Sequence, residues 1–349
     1  MLVTLRDIQW RARRIVLGLS ATALVLAMTA LLGALHDSFL DETDRTVALF
    51  GADRWLVAQD VSGPFTSNSP IRTSTIPDAE ALPGVDEVAP VAIFRHVVAG
   101  AGEDFTDVNV IAYPPDGLLA PSPESGRAPE RVGEVMVDAR LGVPLGRELD
   151  LGGRPVEVVG IVRGVTYNGG TPTVLTTLAE GQEIAFDGKP LASALIVTGV
   201  LDRAPEGLTI MTPTEVRDDL RRPLSVATRA IGLIAILLWV VAAGIVAMMG
   251  YLSGLDRYRD FAVFKALGVT TWRLLGSLVL QGALVSLLAG LAAIALAMVI
   301  APAFPVTIDL TWADHARLVG LALVVGVASS VVSVHGPVSV DPVRAFANS

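Results

Sequence analysis

The sequence contains no cysteine, few charged residues and almost no lysine. The absence of cysteine excludes disulfides, zinc–thiolate sites, iron–sulfur clusters and cysteine nucleophiles. Charged residues make up 17% of the 349 positions, against about 25% in an ordinary soluble domain, whereas 52% are hydrophobic. The net charge of −9 argues against nucleic-acid binding, because neutralising phosphates requires clustered cations. The composition therefore disfavours both a soluble enzyme and a nucleic-acid-binding protein.

The hydrophobic residues are concentrated in four runs that each predict a transmembrane helix. About 20 apolar residues in helical form cross a bilayer, and the first run, Ile15–Leu35, carries no charge. This run exceeds the apolar core of about 7–15 residues in a signal peptide, and no Ala-x-Ala site follows it, so we interpret it as an uncleaved anchor. The predicted transmembrane helices cover residues 15–35, 229–252, 274–301 and 316–334.

Basic residues flank these runs unevenly, and this asymmetry predicts the orientation of the chain. Arginine clusters before helix 1 and again between helices 2 and 3. The domain 36–228 and the short loop 302–315 are therefore expected outside. Residues 36–225 carry 15 basic and 29 acidic side chains, a net charge of −14, whereas the rest of the chain carries +5. The segments expected in the cytoplasm are 1–14, 253–273 and 335–349.

The segment between helices 1 and 2 is long enough for a domain with its own core. Asp37–Phe50 has helical spacing and is predicted to continue helix 1 as a stalk. The proline-rich, glycine-rich stretch 113–129 is interpreted as an exposed linker between two lobes. Predicted strands are 55–58, 88–98, 108–111, 134–137, 149–151, 155–165, 173–178 and 194–198, and predicted short helices are 77–82 and 214–220.

These patterns define the expected fold class. It is an α-helical membrane protein with four transmembrane helices and an α+β extracytoplasmic domain inserted between helices 1 and 2. Catalytic motifs are missing: a Walker A motif needs Lys before Ser or Thr, whereas Lys189 precedes Pro190 and Lys265 precedes Ala266. The four histidines are scattered and form no metal-binding pattern. We therefore expect no enzyme activity, no metal site and no cofactor bound by this chain.

The connection between helices 2 and 3 combines charges with an apolar face. Leu255, Phe261, Phe264 and Leu267 recur near helical spacing, and Gly268 suits a helix C-terminus. This pattern predicts an amphipathic helix at the cytoplasmic face of the membrane. Such a helix either anchors the chain in the interface or seats its aromatic face in a groove of another protein. Composition alone gives the two interpretations similar weight.

A motif in this connection favours docking to another protein. Residues 259–268 read R-D-F-A-V-F-K-A-L-G. This stretch resembles the signature R-E-[FIY]-A-x-[LF]-[KR]-A-x-G of FtsX/MacB-type ABC transporter permeases, and is most similar to the shorter, DevC-like members. Asp260 stands where glutamate is commoner in the family, and this replacement retains the negative charge at the position. The ending Asp341–Phe346 is similar to the D-P-x-x-A-L/F ending of that family, and the order of helices and external domain agrees with it along the whole chain.

The resemblance implies that the connection is a coupling helix that docks on a separate ATP-binding subunit. That subunit would use ATP and Mg²⁺, and this chain would bind neither. Arg6–Arg14 would lie as an amphipathic segment along the inner face of a bacterial plasma membrane, with both termini in the cytoplasm. Further implied partners are a second ATP-binding subunit, a second permease copy or paralogue, the lipid bilayer, and an extracytoplasmic substrate or effector protein. The implied docking residues are Arg259, Asp260, Phe261, Phe264, Lys265, Ala266 and Gly268.

Small residues on helix 3 predict close helix packing. Gly282, Ser286 and Gly290 lie four positions apart, so they share one helix face. A spacing of this kind lets two helix backbones approach each other. We expect the packing to lie within one subunit rather than between copies.

The function implied by the resemblance is that of a permease subunit that transmits ATP-driven motion to its external domain. The substrate would be a lipid, lipoprotein, peptide or drug-like molecule that is exported or extracted. Two alternatives stay open: an FtsX-like regulator of an extracytoplasmic cell-wall hydrolase, and a permease that imports a solute such as an amino acid. Four helices and a large external insert weigh against the importer.

Overall fold

The computed structural model describes residues 2–67, 70–99, 105–119, 121–256, 263, 267, 270–301 and 311–338. The chain forms two compact units, the membrane unit (1–38 and 227–349) and the inserted domain (39–226). The α-helices among the described residues are α1 Leu2–Leu49, α2 Ile76–Glu80, α3 Leu178–Phe186, α4 Pro213–Arg221, α5 Ser225–Asp256, α6 Thr271–Ile300 and α7 Trp312–Val338.

Within the described residues, four helices are long and apolar enough to cross a membrane. The candidate spans lie in α1, α5, α6 and α7. A helix suits a lipid environment because it satisfies its own backbone hydrogen bonds. α1 continues without interruption beyond its apolar run, so the stalk predicted at Asp37–Phe50 is confirmed as far as Leu49.

Small side chains fill the centre of the membrane unit. Ala27 of α1 is fully buried, and Ala289, Ala293 and Ala297 of α6 belong to the same cluster. In a bilayer, an apolar helix surface gains nothing from the hydrophobic effect by contacting another helix instead of lipid acyl chains. Close packing of small residues therefore holds the helices together. The alanine-rich stretches of the sequence therefore mark the contacts between helices.

The inserted domain is built on an 11-stranded mixed sheet and a 2-stranded sheet, counted over the described residues. The strands are β1 Arg54–Ala58, β2 Ile71–Arg72, β3 Val85–Ala99, β4 Phe105–Tyr113, β5 Ser125–Gly126, β6 Glu134–Asp138, β7 Glu148–Leu151, β8 Arg154–Val162, β9 Thr166–Tyr167, β10 Thr171–Thr177, β11 Leu191–Ala192, β12 Ala194–Gly199 and β13 Leu208–Met211.

The order of strands in the large sheet is β13-β1-β12-β3-β4-β10-β6-β8-β5. Outside this path, β7 pairs with β8 and β9 pairs with β10, while β11 and β2 form the small sheet. The pairs β4 with β10 and β6 with β8 are parallel.

The core of the domain lies on both faces of this sheet. Trp55 and Leu56 are both fully buried but belong to different clusters, because successive side chains of a strand point to opposite faces. A third cluster contains Val108 and Val158. Valine and isoleucine supply much of this core, since β-branched side chains fit a pleated, half-buried surface. With helices on its faces the domain has the α+β class expected from the sequence, and that prediction is confirmed.

The stretch 113–129 differs from the exposed linker that its composition predicted. Leu119 is buried in the core, and Ser125 and Gly126 form β5, which pairs with Ile161 and Gly160 of β8. The segment therefore folds back onto the sheet. Its prolines and glycines produce turns, and turn-forming composition does not require exposure.

Helix α3 was missing from the sequence prediction, which ended a strand at residue 178. Thr177 caps the helix by accepting the N–H of Glu180, and Asp187 ends it in the left-handed region at φ +53°. Thr followed three residues later by Glu is a helix-start pattern that was present in the sequence. The preceding run of β-branched residues outweighed that pattern.

The carboxylate of Glu134 fixes the loop that precedes β6. Its two oxygens accept hydrogen bonds from the Arg127 guanidinium at 2.7 and 2.5 Å, and one also accepts the Glu130 N–H at 2.9 Å. These bonds favour the ionised form, and the Arg127 hydrogen bond is the main cause that lowers the pKa of Glu134 to about 2.

The contribution of Glu134 to stability is expected to be lost in acid. Because its pKa in the folded domain lies below the ordinary value of 4.5, the contribution is complete above pH 4.5 and disappears as the pH falls toward 2. Glu134→Gln should cost about 1–2 kcal/mol at neutral pH and flatten the acid dependence of thermal unfolding. Glu124→Gln, which removes an exposed pair with Arg163, should change less. An acid dependence unchanged in Glu134→Gln would contradict this prediction.

Candidate functional site

The C-terminal turns of α1 are bound to a tight turn of the inserted domain. The carboxylate of Glu42 accepts the Thr166 hydroxyl at 2.6 Å, the Gly169 N–H at 3.1 Å and the Gly170 N–H at 2.9 Å. One helical turn later, the Thr46 hydroxyl donates to the Thr166 carbonyl at 3.0 Å. α1 is therefore held to residues 166–170 along two successive turns.

The backbone of residues 166–170 explains why it binds a carboxylate. Asn168, Gly169 and Gly170 all have positive φ, at 64°, 80° and 86°. Such a conformation turns successive N–H groups to one side, where they form a concave site for an anion. Glycine adopts it without steric cost and asparagine tolerates it. In this Asn-Gly-Gly sequence the backbone N–H groups of Gly169 and Gly170 therefore donate hydrogen bonds to the carboxylate of Glu42.

A second contact joins the same part of α1 to α4. Oδ1 of Asp44 lies 3.1 Å from Arg217 Nε and 3.1 Å from Arg221 Nη2. α4 begins with a capping box formed by Thr212 and Glu215, which fixes its start. We call Glu42, Asp44 and these partners the α1 anchor.

The buried carboxylate of Asp219 holds a third segment to α4. It accepts the Phe65 N–H at 3.1 Å and also the Thr66 hydroxyl. A Cβ on Gly63 would lie 2.7 Å from the Asp219 Cβ, so only glycine fits where this loop crosses the helix. The loop, α4 and α1 are therefore connected through polar contacts at one part of the inserted domain.

Aromatic rings pack beneath these contacts. Phe50 and Trp55 stack edge to face with ring centroids 4.7 Å apart, and Phe65 contacts Tyr167 in the same way at 5.3 Å. Edge-to-face pairs add about 0.5–1.5 kcal/mol beyond the burial of their area. Burial also raises the pKa of Tyr167, so its hydroxyl stays protonated. These rings make the end of α1, the start of β1 and the 166–170 turn one packed body.

The residues predicted to dock an ATP-binding subunit lie between α5 and α6. Arg259, Asp260, Phe261, Phe264, Lys265, Ala266 and Gly268 fall outside the described residues. Val263 and Leu267 in the same connection are described, and the Leu267 N–H donates to the Val263 carbonyl at 3.0 Å, as in a helical turn. Their side chains are 47% and 75% exposed, so this face is open.

The small residues predicted to pack on helix 3 face small residues of α7. The facing pairs are Gly282 with Ser330, Ser286 with Gly326, and Gly290 with Ala322. A Cβ on Gly282 would overlap the Ser330 hydroxyl, and one on Gly326 would lie 2.5 Å from the Ser286 Cβ. The residue numbers rise on α6 as they fall on α7, so the two helices are antiparallel at this contact.

Two family models match the chain. The MacB-like periplasmic core domain matches residues 15–240, and the FtsX-like permease C-terminal domain matches residues 232–341. A relative from Mycobacterium tuberculosis, an uncharacterized ABC transporter permease, is 37% identical over 99% of both chains. The chain is an ABC transporter permease of the FtsX/MacB type. The permease has a second relative in M. tuberculosis, also an ABC transporter permease, at 35% identity over 99% of both chains.

Two solved structures are similar to part of the permease. The alignment with the periplasmic region of MacB from Actinobacillus actinomycetemcomitans covers 49% of the permease and 94% of the MacB region. The two are 11% identical, with a TM-score of 0.35. The alignment with the extracellular domain of the ABC-type transporter YknZ from Gram-positive bacteria covers 46% of the permease and 100% of the YknZ domain. These two are 15% identical, with a TM-score of 0.34. These two similarities do not assign a role to any residue of the permease.

The family predicted from residues 259–268 and from the order of helices is confirmed. With four helices capable of spanning a bilayer, the permease is a membrane protein. In the part of the chain that the structure describes, no three His, Asp or Glu side chains are arranged to hold a metal ion. Sequence reasoning missed the α1 anchor, because Glu42 and Asp44 stand among the 29 acidic residues between positions 36 and 225 and no pattern sets them apart.

Proposed function

We propose that the permease converts ATP hydrolysis on a separate ATP-binding subunit into movement of the inserted domain, which lies outside the plasma membrane. The α1 anchor carries this proposal. Because Glu42 and Asp44 bind the 166–170 turn and α4, a displacement of α1 along its axis passes directly to the sheet. α4 is followed by α5 after three residues, so the same contacts join both chain segments that lead to the apolar helices.

Motion at the cytoplasmic side would enter through the connection between α5 and α6. The signature residues Phe261 and Phe264 supply two aromatic rings that fit an apolar groove of the ATP-binding subunit. The helical bond between Val263 and Leu267 supports a helix there. Lys265 and Arg259 flank the aromatic pair and favour an acidic rim on the partner. The concentration of arginine before α1 and in this connection also supports a cytoplasmic position for both termini.

The apolar helices support transmission of motion rather than passage of a charged substrate. The runs 15–35, 230–252 and 274–301 contain no Asp, Glu, Lys or Arg. Charges at the bilayer centre cost about 2.5–3.5 kcal/mol on insertion scales and are usually kept for ion or substrate paths. We therefore propose that the inserted domain acts on a lipid, lipoprotein, peptide or drug-like molecule during export or extraction.

The proposed assembly contains two permeases, identical or paralogous, and two ATP-binding subunits. Only 11% of the apolar window of α5 is buried within the described residues. Leu233, Ile236 and Val240 are each more than 60% exposed and recur three to four residues apart. They therefore form one apolar helix face that a second permease would cover, with lipid on the remainder.

Phe264→Asp is expected to abolish co-purification of the ATP-binding subunit with the permease. A carboxylate in the apolar groove would be buried without a partner, which costs several kcal/mol. The measurement is the amount of ATP-binding subunit, and its ATPase activity, recovered with affinity-purified permease from native membranes.

Val263→Asp is the matched control for this experiment. Val263 is the preceding residue, is exposed, and stands at a position that the family signature leaves open. This variant should retain the ATP-binding subunit. Equal recovery in wild type and Phe264→Asp, or equal loss in both variants, would argue against the proposed docking surface.

A further inference from the structure

The turn that binds α1 contains the one asparagine of the sequence that precedes a glycine. Asn168 is followed by Gly169, whereas the other three asparagines precede serine or valine. Asparagine is a thermally labile residue, because the backbone nitrogen of the next residue can attack its side-chain amide. Glycine places no side chain in the path of that attack. Asn168 is also half-buried rather than enclosed, so water reaches it.

Deamidation at this position would exchange one bond of the Asn168 side chain for a bond to the backbone. The Gly169 nitrogen loses its proton and bonds to Cγ of Asn168, while the bond from Cγ to Nδ2 breaks and ammonia leaves. Water then opens the cyclic imide at either of its carbonyl carbons. The product is aspartate or isoaspartate, and in the second of these the main chain continues through the former side chain. Nothing is oxidised or reduced, and water is the co-reactant.

The contact with α1 opposes this attack. The Gly169 N–H donates to Glu42 Oε2 at 3.1 Å, and the Gly170 N–H donates to Oε1 at 2.9 Å. A carboxylate beside the Gly169 amide makes loss of the amide proton less favourable, because the anion that forms would face a negative charge. Ring closure also removes the hydrogen that Gly169 donates and changes the conformation of the turn. Both effects protect Asn168 while α1 stays bound.

The two ends of the turn are held independently of Glu42. Tyr167 pairs with Thr171 across β9 and β10. The side-chain amide of Asn109 donates to the carbonyl oxygens of both residues, at 3.1 and 3.2 Å. Loss of the contact with α1 therefore frees residues 168–170 and leaves the hairpin in place. A local opening of this kind costs less free energy than unfolding of the whole domain.

We propose that Asn168 is a deamidation site that the α1 anchor protects and whose product releases the anchor. The new carboxylate stands on the residue before Gly169, whose nitrogen is itself in contact with Glu42. The two negative charges are thus separated by no more than the screening length of about 8 Å, and they repel. Each opening of the turn can therefore become permanent. This inference goes beyond the proposed function and does not depend on coupling to an ATP-binding subunit.

The rate of deamidation in the full-length permease tests the protection. Wild type, Glu42→Ala and Asp41→Ala would be incubated in nanodiscs at mildly alkaline pH, and wild type also in denaturant. Peptide mass spectrometry gives the fraction of aspartate and isoaspartate at position 168. Because the reaction starts from the open turn, Glu42→Ala should react at least about 10-fold faster than folded wild type. Asp41→Ala should match wild type.

Two internal controls separate local opening from misfolding. Asn109 is fully buried and precedes valine, so it should stay unmodified in every folded sample. Glu42→Gln keeps the shape of the side chain and one acceptor oxygen but no charge, so its rate should lie between those of wild type and Glu42→Ala. Equal rates in wild type and both Glu42 variants would overturn the proposed protection. A rate in folded wild type as high as in denaturant would overturn it too.

Asn168→Asp and Asn168→Gly test the proposed release. Both residues tolerate positive φ, but only aspartate adds the charge of the deamidated product. Amide exchange at Gly169 and Gly170 should rise about 10-fold or more in Asn168→Asp and stay within a few-fold of wild type in Asn168→Gly. Equal exchange in these two variants would show that the product leaves the anchor intact and would overturn this part of the proposal.

Discussion

Gly326→Leu is expected to prevent the membrane unit from packing. Gly326 on α7 lies against Ser286 of α6, where an added Cβ would come within 2.5 Å of the Ser286 Cβ and 3.2 Å of the Gly282 carbonyl oxygen. Neither neighbour is the end of a flexible side chain, so the helices must separate. Overpacking of this kind costs about 3 kcal/mol or more. The yield of monodisperse protein in detergent and its thermal unfolding measure the effect.

Gly320→Leu is the control on the same helix. A Cβ on Gly320 meets no atom within 4 Å, so a leucine there projects into open space. The two variants have the same composition and the same helix propensity but differ in their neighbours. Gly326→Ala combined with Ser286→Gly should recover part of the stability, since it removes the closest contact. Similar yields for Gly326→Leu and Gly320→Leu would contradict the antiparallel packing of α6 and α7.

Glu42→Ala is expected to release the turn 166–170 from α1. The substitution leaves the Thr166 hydroxyl and the N–H groups of Gly169 and Gly170 without their acceptor. Unsatisfied buried donors cost about 1–3 kcal/mol each, and with partial rehydration we expect a total near 3 kcal/mol. That loss corresponds to about 100-fold faster amide exchange at Gly169 and Gly170. Hydrogen exchange followed by mass spectrometry measures it.

Asp41→Ala is the matched control for Glu42→Ala. Asp41 is the preceding residue and is 65% exposed, and among the described residues it forms an ion pair only with Arg45, at 3.9 Å. Exposed pairs contribute about 0–1 kcal/mol, so exchange in the turn should stay near the wild-type rate. If the α1 anchor transmits motion, Glu42→Ala should also reduce transport while the ATP-binding subunit still co-purifies. Unchanged exchange at Gly169 in Glu42→Ala would remove the physical basis of the anchor.

The membrane unit was predictable because a single local property determines it. Ile15–Leu35 and the other apolar runs each exceed the length of a bilayer span, and in lipid a continuous apolar chain forms a helix. The packing glycines were also visible, since Gly282 and Gly290 repeat with Ser286 at a spacing of four. Their partners on α7 were not, because antiparallel register depends on the length and shape of the connection between the helices.

The α1 anchor depends on contacts that are distant in sequence. Glu42 binds residues more than 120 positions later, and Asp44 binds Arg221 at a separation of 177. The Asn-Gly-Gly sequence signals a turn with exposed donors, but it does not identify the acceptor. In contrast, Thr177 and Glu180 carry a local signal for α3 that the run of β-branched residues obscured. Three of the four two-residue strands, β2, β5 and β11, have no local signal, since tertiary contacts alone define them.

Strand order has a consequence for the biosynthesis of the domain. β1 lies between β12 and β13, and Arg54 pairs with Val197, which is synthesised 143 residues later. At about 5–20 residues per second, β1 waits roughly 7–30 s for both neighbours. During this interval the strand Arg-Trp-Leu-Val-Ala has two open edges and no cover over Trp55, which makes it prone to aggregation. Correct folding of the domain therefore requires that the nascent chain be kept from self-association until β13 and α4 have emerged. Because these elements belong to the last fifth of the domain, we expect chaperones to protect β1 until synthesis of the domain is nearly complete.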